Sequence, residues 1–362
     1  MERLANLVTD ATLDALATHA GTLADADAEL LESFVAPARQ LLGGGKRVRG
    51  LLSIAGAMCA GARVEDADSP AIEVAAALEL FQGAALVHDD IMDDSPTRRG
   101  LPAVHMAFQH ACEDSELVGD AALFGRDAGI CSGDYLLAIS TSQMLKAGQP
   151  RALARFQTMC AEVAFGQYLD IRGENIDLAG MLDDDPAQAR ERLLRAREDA
   201  LLVLRHKAAR YSVRDPLLIG AEAAGGSPEL LDALARLGEP LGEAFQLRDD
   251  ALGIAGDSKH TGKPTGGDLR EGKRTVLLLT SLIHTAGTEA AKEIYSALGS
   301  DLTEEESLRI ARLIQQSGAW EEHEEMISAR EEAARSAWSR LPAGPGADLL
   351  WDLMDRLTRR KH

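Results

Sequence analysis

The sequence predicts an all-α fold, a single-domain helical bundle spanning residues 1–362. Three observations point there. The chain is 46% hydrophobic but only 4% aromatic, so its core has to be assembled from Ala, Leu, Val and Ile, and Ala and Leu favour helices. Apolar residues recur at helical spacing from end to end, bracketed by cap and stop signals, whereas strand-type alternation is scarce. No Pro- or Ser-rich linker and no shift of composition divides the 362 residues, a length suited to one large domain.

The elements follow in order. Ser69 and Pro70 are placed as N-cap and first helical residue of a long apolar helix that runs into Asp89-Asp90. Loops are expected over part of 113–129, over 174–186, ahead of Ser227, and over 256–274. Ser227 and Pro228 open a second long helix, with Leu230, Leu231, Leu234 and Leu237 at helical spacing, that runs into Asp249-Asp250. Pro240 is expected to kink or divide it. Further on, Thr303 and Glu306 are spaced as a capping box, Ile310, Leu313 and Ile314 form an apolar face, and Gly318 is the stop. The two Asp-Asp helices echo each other. At about 1.5 Å per residue each would be roughly 30 Å long, and their acidic ends are expected to face each other across a deep central cavity.

Charge excludes some functions. With 38 basic and 58 acidic residues the formal net charge is −20, a field that repels phosphate backbones, so nucleic acid is not an expected partner. Cys59, Cys112, Cys131 and Cys160 show no metal-ligand spacing and are expected as reduced, mostly buried thiols. The N-terminus lacks the pattern of a signal peptide. The apolar run 51–62 is too short for a transmembrane segment. A cytoplasmic location is the simplest expectation.

Four aspartates lie within six residues in "ALVHDDIMDDSPTRRG" (85–100). On a helix Asp89 and Asp93 are i,i+4 neighbours, as are Asp90 and Asp94, and each like-charged pair is unfavourable. At a helix C-terminus the dipole adds to the penalty. Asp249 and Asp250 incur the same cost, and both clusters follow directly on apolar turns. Magnesium would offset it: the ion prefers oxygen ligands and commonly binds through one or two carboxylates plus substrate phosphates. Its charge would also assist ionisation of a C–O bond to a diphosphate. Basic groups complete the pattern. Lys46, Arg47 and Arg49 follow three glycines just before a helix, a natural diphosphate pocket, although the spacing is not that of a nucleotide-binding loop. Arg98, Arg99, Lys263 and Lys273 add further cations.

With these motifs in order over residues 40–275, and more weakly through the C-terminal helices 276–362, the chain resembles the trans-isoprenyl diphosphate synthases, or polyprenyl synthetases, and most of all geranylgeranyl diphosphate synthases. "GGKRVRG" is similar to the family's GGKRxRP, with Gly50 in place of proline. "DDIMDDSPTRRG" resembles its first aspartate motif, "GQYLD" (166–170) its GQxxD, "FQLRDDALG" its FQxxDDxxD, and "GKPTGGDLREGK" its lysine-bearing loop. The resemblance implies an all-helical isoprenoid-synthase fold, a homodimer, and magnesium, with three ions per active site. It implies head-to-tail condensation of isopentenyl diphosphate with dimethylallyl, geranyl or farnesyl diphosphate. Asp89, Asp93 and Asp249 would hold magnesium, supported by Asp90 and Asp250. Lys46, Arg49, Gln82 and Arg99 would hold isopentenyl diphosphate. Arg98, Lys207 and Lys263 would hold the allylic diphosphate with Lys273 nearby, and Gln167 and Gln246 would line the reacting end.

Two departures stand out. Gly253 occupies the place of the second motif's last aspartate, where Asp257 is a candidate helper, and Ala208 follows Lys207 where the family usually has Thr. Product length is expected to depend on Ala84 and Ala85, one turn before Asp89, and on Phe81 about one turn, roughly 5 Å, deeper. Two alanines leave the level of a fifteen-carbon product open, and Phe81 as the next floor predicts geranylgeranyl diphosphate. The alternatives are a longer-chain or farnesyl diphosphate synthase, a class I terpene cyclase, and a non-catalytic synthase subunit. The second Asp-Asp site and the GGKRVR pocket speak against a cyclase, and the complete first motif against a non-catalytic subunit.

Overall fold

The computed structural model describes residues 1–359 except 24, 26, 65–68, 184 and 257–265. The fold is all-α, as the Ala/Leu-rich composition predicts. The helices are α1 (Glu2–Gly21), α2 (Ala28–Gly43), α3 (Val48–Cys59), α4 (Pro70–Met92), α5 (Val104–Glu113), α6 (Ala121–Lys146), α7 (Pro150–Glu174), α8 (Leu178–Leu182) and α9 (Pro186–Val203). A π-helical segment, Leu204–Arg214, precedes α10 (Asp215–Ala223), α11 (Pro228–Ala255), α12 (Gly267–Arg270), α13 (Val276–Thr285), α14 (Glu289–Ser296), α15 (Glu304–Gln316), α16 (Ala319–Trp338) and α17 (Pro345–Thr358). Two two-residue strands, β1 (Thr97–Arg98) and β2 (Leu101–Pro102), pair antiparallel. The chain forms two compact units. The first comprises Met1–Gln157, Pro216–Asp232 and Pro342–Leu353; the second comprises Thr158–Asp215, Ala233–Leu341 and Met354–His362.

In the first unit α4 is the central element. It packs on α1, α3 and α6 and is apolar almost all round, as a helix enclosed by others must be. Length and composition alone would let it cross a membrane, yet 72% of its apolar window is buried inside the protein. Leu42, Leu80, Val87, Phe108 and Leu136 belong to the surrounding aliphatic cluster. Pro70 takes the first helical position as expected, whereas the Ser69 side chain makes no capping hydrogen bond. The stretch 113–129 is only half loop: Asp120 accepts hydrogen bonds from the N–H groups of Ala122 and Leu123 and starts α6 there.

The core of the second unit gathers Leu193, Leu247, Ile254, Leu277, Ile294, Ile310, Ile314 and Ile327. Pro240 does not divide α11, which is continuous from Pro228 to Ala255. Leu234, Leu237, Leu241 and Leu247 on either side of it are fully buried, and that packing outweighs one missing N–H. The capping box is present: Glu306 N donates to Thr303 Oγ1 (3.3 Å) and Thr303 N to Glu306 Oε2 (2.9 Å). Gly318 follows in the left-handed region at φ 84°. A short helix, α8, interrupts the loop expected over 174–186 because Asp177 accepts from Gly180 N (2.8 Å). All four cysteines are free thiols; Cys131 is exposed, while burial pushes the thiols of Cys59 and Cys160 up to about 11 and about 12.

Candidate active site

The predicted site residues fall into two groups, one in each unit. In the first, α4 ends at Met92, so Asp89 and Asp90 lie in its last turn and Asp93 is its C-cap, with Asp93 N donating to Asp89 O (2.8 Å). The pairing of Asp90 with Asp94 is not realised, because Asp94 leaves the helix at φ 49°. Asp90 instead faces inward, fully buried, where its Oδ1 accepts from Arg98 Nε (2.7 Å) and from Nη2. The same guanidinium stands 3.8 Å from Asp89 Oδ2. Burial raises the Asp90 carboxyl above its usual range; Arg98 opposes the shift, and Asp89 and Asp93 add to it. Asp90 Oδ2 is buried without a hydrogen-bond partner among the described residues.

Both arginines are placed by the hairpin. Arg98 pairs with Leu101, and the two residues between them, Arg99 and Gly100, have φ of 57° and 78°, the pattern of a type I′ turn matched to strand twist. Sequence reading missed this hairpin, whose only local signal was Arg99-Gly100 between Arg98 and Leu101. Arg99 Nη1 donates to Leu41 O (2.9 Å) and Gly44 O (2.6 Å). Gly45, at φ 112°, lies against the guanidinium, where a Cβ would stand 2.8 Å from Nη2. The glycine loop is therefore a cradle for Arg99, and the arginine turn and the Lys46–Arg49 loop form one local assembly.

Arg47, counted among the pocket cations by its spacing, turns into the protein instead. It is 3% exposed, donates through Nε to Thr9 Oγ1 (2.8 Å) and through Nη2 to Leu42 O, and pairs through Nη1 with Glu79 Oε2 (3.4 Å). Glu79, buried in mid-helix, also accepts from Gly50 N (3.0 Å). Proline, which the resembled motif carries at this position, has no N–H to donate, so Gly50 suits a chain that holds its loop through Glu79. Lys46 is exposed and Arg49 and Gln82 half-buried.

On α4, Phe81 and Ala85 lie two turns and one turn before Asp89 on the same face. The Phe81 ring meets Phe156 edge to face at 5.8 Å between centroids. Ala84 departs from its expected place: it is 2% exposed and packed in the cluster with Leu80, Val87 and Leu136. A position 100° around the helix from Ala85 looks into the core, so bulk at Ala84 would press on neighbouring helices.

In the second unit the π-helical segment carries Lys207, whose Nζ is paired with Asp170, the aspartate of GQYLD. Gly166 lets the two backbones touch, since a Cβ there would stand 2.6 Å from Lys207 Cα. Sequence reading also missed the groups that hold this segment. Arg210 donates to Glu162 Oε1 (2.6 Å) and Glu239 Oε1 (2.9 Å), Arg214 to Glu239 Oε2 (3.0 Å), and His206 Nδ1 is 2.7 Å from Glu162 Oε1. π-Helical turns are rare and often found at functional sites, and this one sets where Lys207 stands. Gln167 is half-buried, and Ala208 makes the segment one hydroxyl poorer.

On α11, Gln246 Nε2 donates to Asp250 Oδ1 (3.0 Å). The Asp250 carboxyl is 7% exposed and held well above its usual range, by burial first and by the charge of Asp268 next; Gln246 opposes the shift, Asp249 adds to it and Lys273 opposes it. Lys273 Nζ pairs with Glu271 (2.6 Å). Asp268 was given no role by sequence reading, yet its carboxylate fills the space beside Gly253. A Cβ at 253 would stand 2.6 Å from Asp268 Oδ1 and closer still to its other carboxylate atoms. Lys263 and Asp257 lie outside the described residues.

Both groups fit magnesium by donor chemistry. Each offers carboxylate oxygens in like-charged proximity, with an orphaned buried oxygen on Asp90 in the first, and hard cations take such ligands.

The chain matches the sequence model of the polyprenyl synthetase family over residues 32–314. It is 32% identical over 330 residues to geranylfarnesyl diphosphate synthase of Aeropyrum pernix, covering 88% of this chain and 91% of the relative. To geranylgeranyl diphosphate synthase of Saccharolobus solfataricus it is 31% identical over 282 residues, covering 74% and 71%. Among solved structures it is similar to geranylgeranyl pyrophosphate synthase from Corynebacterium glutamicum complexed with isoprenyl diphosphate and magnesium, at 36% identity and a TM-score of 0.86 over 99% of each chain. With an aspartate cluster at the end of α4, a second in the penultimate turn of α11, which runs on past it to Ala255, and a family match over most of its length, the chain belongs to the polyprenyl synthetase family and is a trans-prenyltransferase.

Proposed function

We propose that the enzyme condenses isopentenyl diphosphate head-to-tail with allylic diphosphates, and that its main product is geranylgeranyl diphosphate. The observation that carries the reaction is the joint held by Arg99: its bonds to Leu41 O and Gly44 O tie the cationic loop to the turn that follows the aspartates. Carboxylates for metal and cations for diphosphate thus belong to one local construction. When bound, magnesium neutralises the diphosphate leaving group; Asp89 and Asp93 in the first unit and Asp249 in the second would hold it, as three ions.

The remaining work falls to the chain's own side chains. Lys46, Arg49, Gln82 and Arg99 take the diphosphate of isopentenyl diphosphate. Arg98, Lys207, Lys263 and Lys273 orient the allylic diphosphate, and Gln167 and Gln246 line the reacting end. Arg98 is fixed by Asp90 and Lys207 by Asp170, so both cations are orientated before substrate arrives, which reduces the ordering left for the reaction. The allylic C–O bond breaks, the alkene of isopentenyl diphosphate attacks the allylic carbon, and a proton leaves the new chain for the released diphosphate. Phe81, backed by Phe156, is the floor that supports a twenty-carbon product. A twenty-five-carbon product is the second reading, favoured by the Aeropyrum relative's name. We further propose a cytoplasmic homodimer folded as one catalytic domain.

The test is incubation of purified enzyme with magnesium, isopentenyl diphosphate and, separately, five-, ten- and fifteen-carbon allylic primers, followed by dephosphorylation and chromatography. Geranylgeraniol should dominate. No condensation with any primer overturns the reaction, and a twenty-five-carbon alcohol overturns the product. Asp89→Ala and Asp249→Ala should each lower turnover by orders of magnitude while the thermal midpoint without metal holds or rises, because like-charge repulsion is removed.

A further inference from the structure

Glu243 lies outside the residues quoted above for the family's motifs, yet it stands where three elements of the second unit meet. We propose that Glu243 is a positioning residue for the allylic diphosphate, fixing Lys207 of the π-helical segment in register with Asp249 and Asp250 on α11. This rests on the reading above of Lys207 as a cation of the allylic pocket.

Glu243 is 7% exposed, and both of its oxygens are engaged. Oε1 accepts from Arg205 Nε (2.6 Å), two residues before Lys207, and Oε2 accepts from Arg330 Nε (2.6 Å) on α16. Arg330 is steadied within its own helix, where its Nη1 donates to Met326 O (3.1 Å). A buried carboxylate is costly unless paired and hydrogen-bonded, and here two guanidiniums from different elements compensate it. Burial works against its charge, but those two bonds hold the carboxyl below its usual range.

The π-helical segment needs holding from outside. It runs for 11 residues, whereas this form occurs mostly as single turns. Of its three arginines, Arg210 and Arg214 are held by Glu162 and Glu239, and Arg205 by Glu243. The segment also touches α11 next door, since a Cβ on Gly242 would stand 2.3 Å from Ala209 O. Lys207 lies midway between Arg205 and Ala209, and on its other side meets Asp170 and Gly166 of α7. The lysine is thus clamped between α7 and α11. On α11, Glu243 stands two turns, about 10 Å, before Asp250 on the same face, so one rigid helix spaces the cation from the acidic pair.

The experiment separates the two substrates. Glu243→Gln, which keeps shape and removes charge, is compared with Arg205→Gln, with the double variant, and with Arg197→Gln. The last removes the ion pair of Arg197 with Glu322 (2.6 Å) between α9 and α16 and serves as the control for general loosening. Calorimetric titration with magnesium present reads two ligands separately. One is geranyl thiolodiphosphate, an allylic analogue whose bridging sulfur resists ionisation; the other is isopentenyl diphosphate alone. Glu243→Gln and Arg205→Gln should each weaken the analogue roughly 10-fold, as expected when one charge-assisted bond is displaced. The double variant should lose no more than the worse single, because both act through one contact. Isopentenyl diphosphate should bind every variant as it binds the unaltered enzyme, and Arg197→Gln should keep its analogue affinity.

Unchanged analogue affinity in folded Glu243→Gln overturns the proposal. So does an equal loss in Arg197→Gln or for isopentenyl diphosphate. If Glu243→Gln does not fold, half-buried Arg205→Gln decides by the same criteria. Titration needs no turnover, so failure of the unaltered enzyme to condense the two substrates is a separate result that tests the reaction alone.

Discussion

Replacing Gly50 by proline, the residue that the GGKRxRP pattern carries there, should unfold this enzyme more readily. Gly50 lies in the first turn of α3, where N–H groups have no partner within the helix, and its N–H donates to buried Glu79 Oε1 at 3.0 Å. Proline removes that donor, and a hydrogen bond to a buried charged acceptor is worth about 1.5–3 kcal/mol. A Cβ at 50 would also stand 2.9 Å from Val8 Cγ1 and 3.3 Å from Ala75 Cβ, overpacking that costs roughly 1–3 kcal/mol. The sum is about 2.5–6 kcal/mol, and with a urea dependence of about 3 kcal/mol per molar the midpoint should fall by roughly 0.8–2 M. Gly50→Ala keeps the N–H and isolates the steric part, so the proline variant should be the less stable by the hydrogen-bond share. The KM for isopentenyl diphosphate should rise in the proline variant, because Glu79 and Arg47 position the loop that carries Lys46 and Arg49. Urea titration followed by circular dichroism checks the first part and steady-state kinetics the second. A proline variant as stable as Gly50→Ala would refute the role given to Glu79.

Three further outcomes follow from the same structure. Phe81→Ala should lengthen the product and Ala85→Phe shorten it, whereas Ala84→Phe should destabilise the fold without setting a new length; chromatography of the alcohols and thermal melts separate the three. Without metal, Asp250→Asn should be more stable than the native chain at neutral pH. The raised carboxyl of Asp250 makes native stability increase as pH falls through its folded value toward the ordinary 3.8, and the variant should lack that increase. Glu243 has the opposite sign. Burial works against its charge, but hydrogen bonds from Arg205 and Arg330 outweigh burial and lower the carboxyl below the ordinary 4.5. Its contribution is present above that value and is lost as pH falls through the lowered one, so Glu243→Gln should flatten the acid limb of a stability-against-pH curve.

Much of this enzyme is legible in local spacing. Helix periodicity, the Thr303–Glu306 capping box, Pro70 at a helix start and the acidic end of α4 depend on residues three or four apart, and such relations survive in a linear string, whereas α11 runs on to Ala255 past the Asp249-Asp250 pair expected to close it. The chemistry of the aspartates and cations is equally local, because residue type and helix end decide it. Tertiary structure decided which way side chains turn and what they meet. Arg47 looks like a pocket cation in sequence, but Glu79, 32 residues away, draws it inward. Ala84 and Ala85 are adjacent in the string and differ by about 100° around the helix, so only the packed cluster with Leu80 and Leu136 tells that Ala84 faces the core. Gly253 is the plainest case: sequence shows only that it lacks a side chain, while the fold sets the carboxylate of Asp268, 15 residues on, beside it, because burial and steric exclusion act between residues that are distant in the chain.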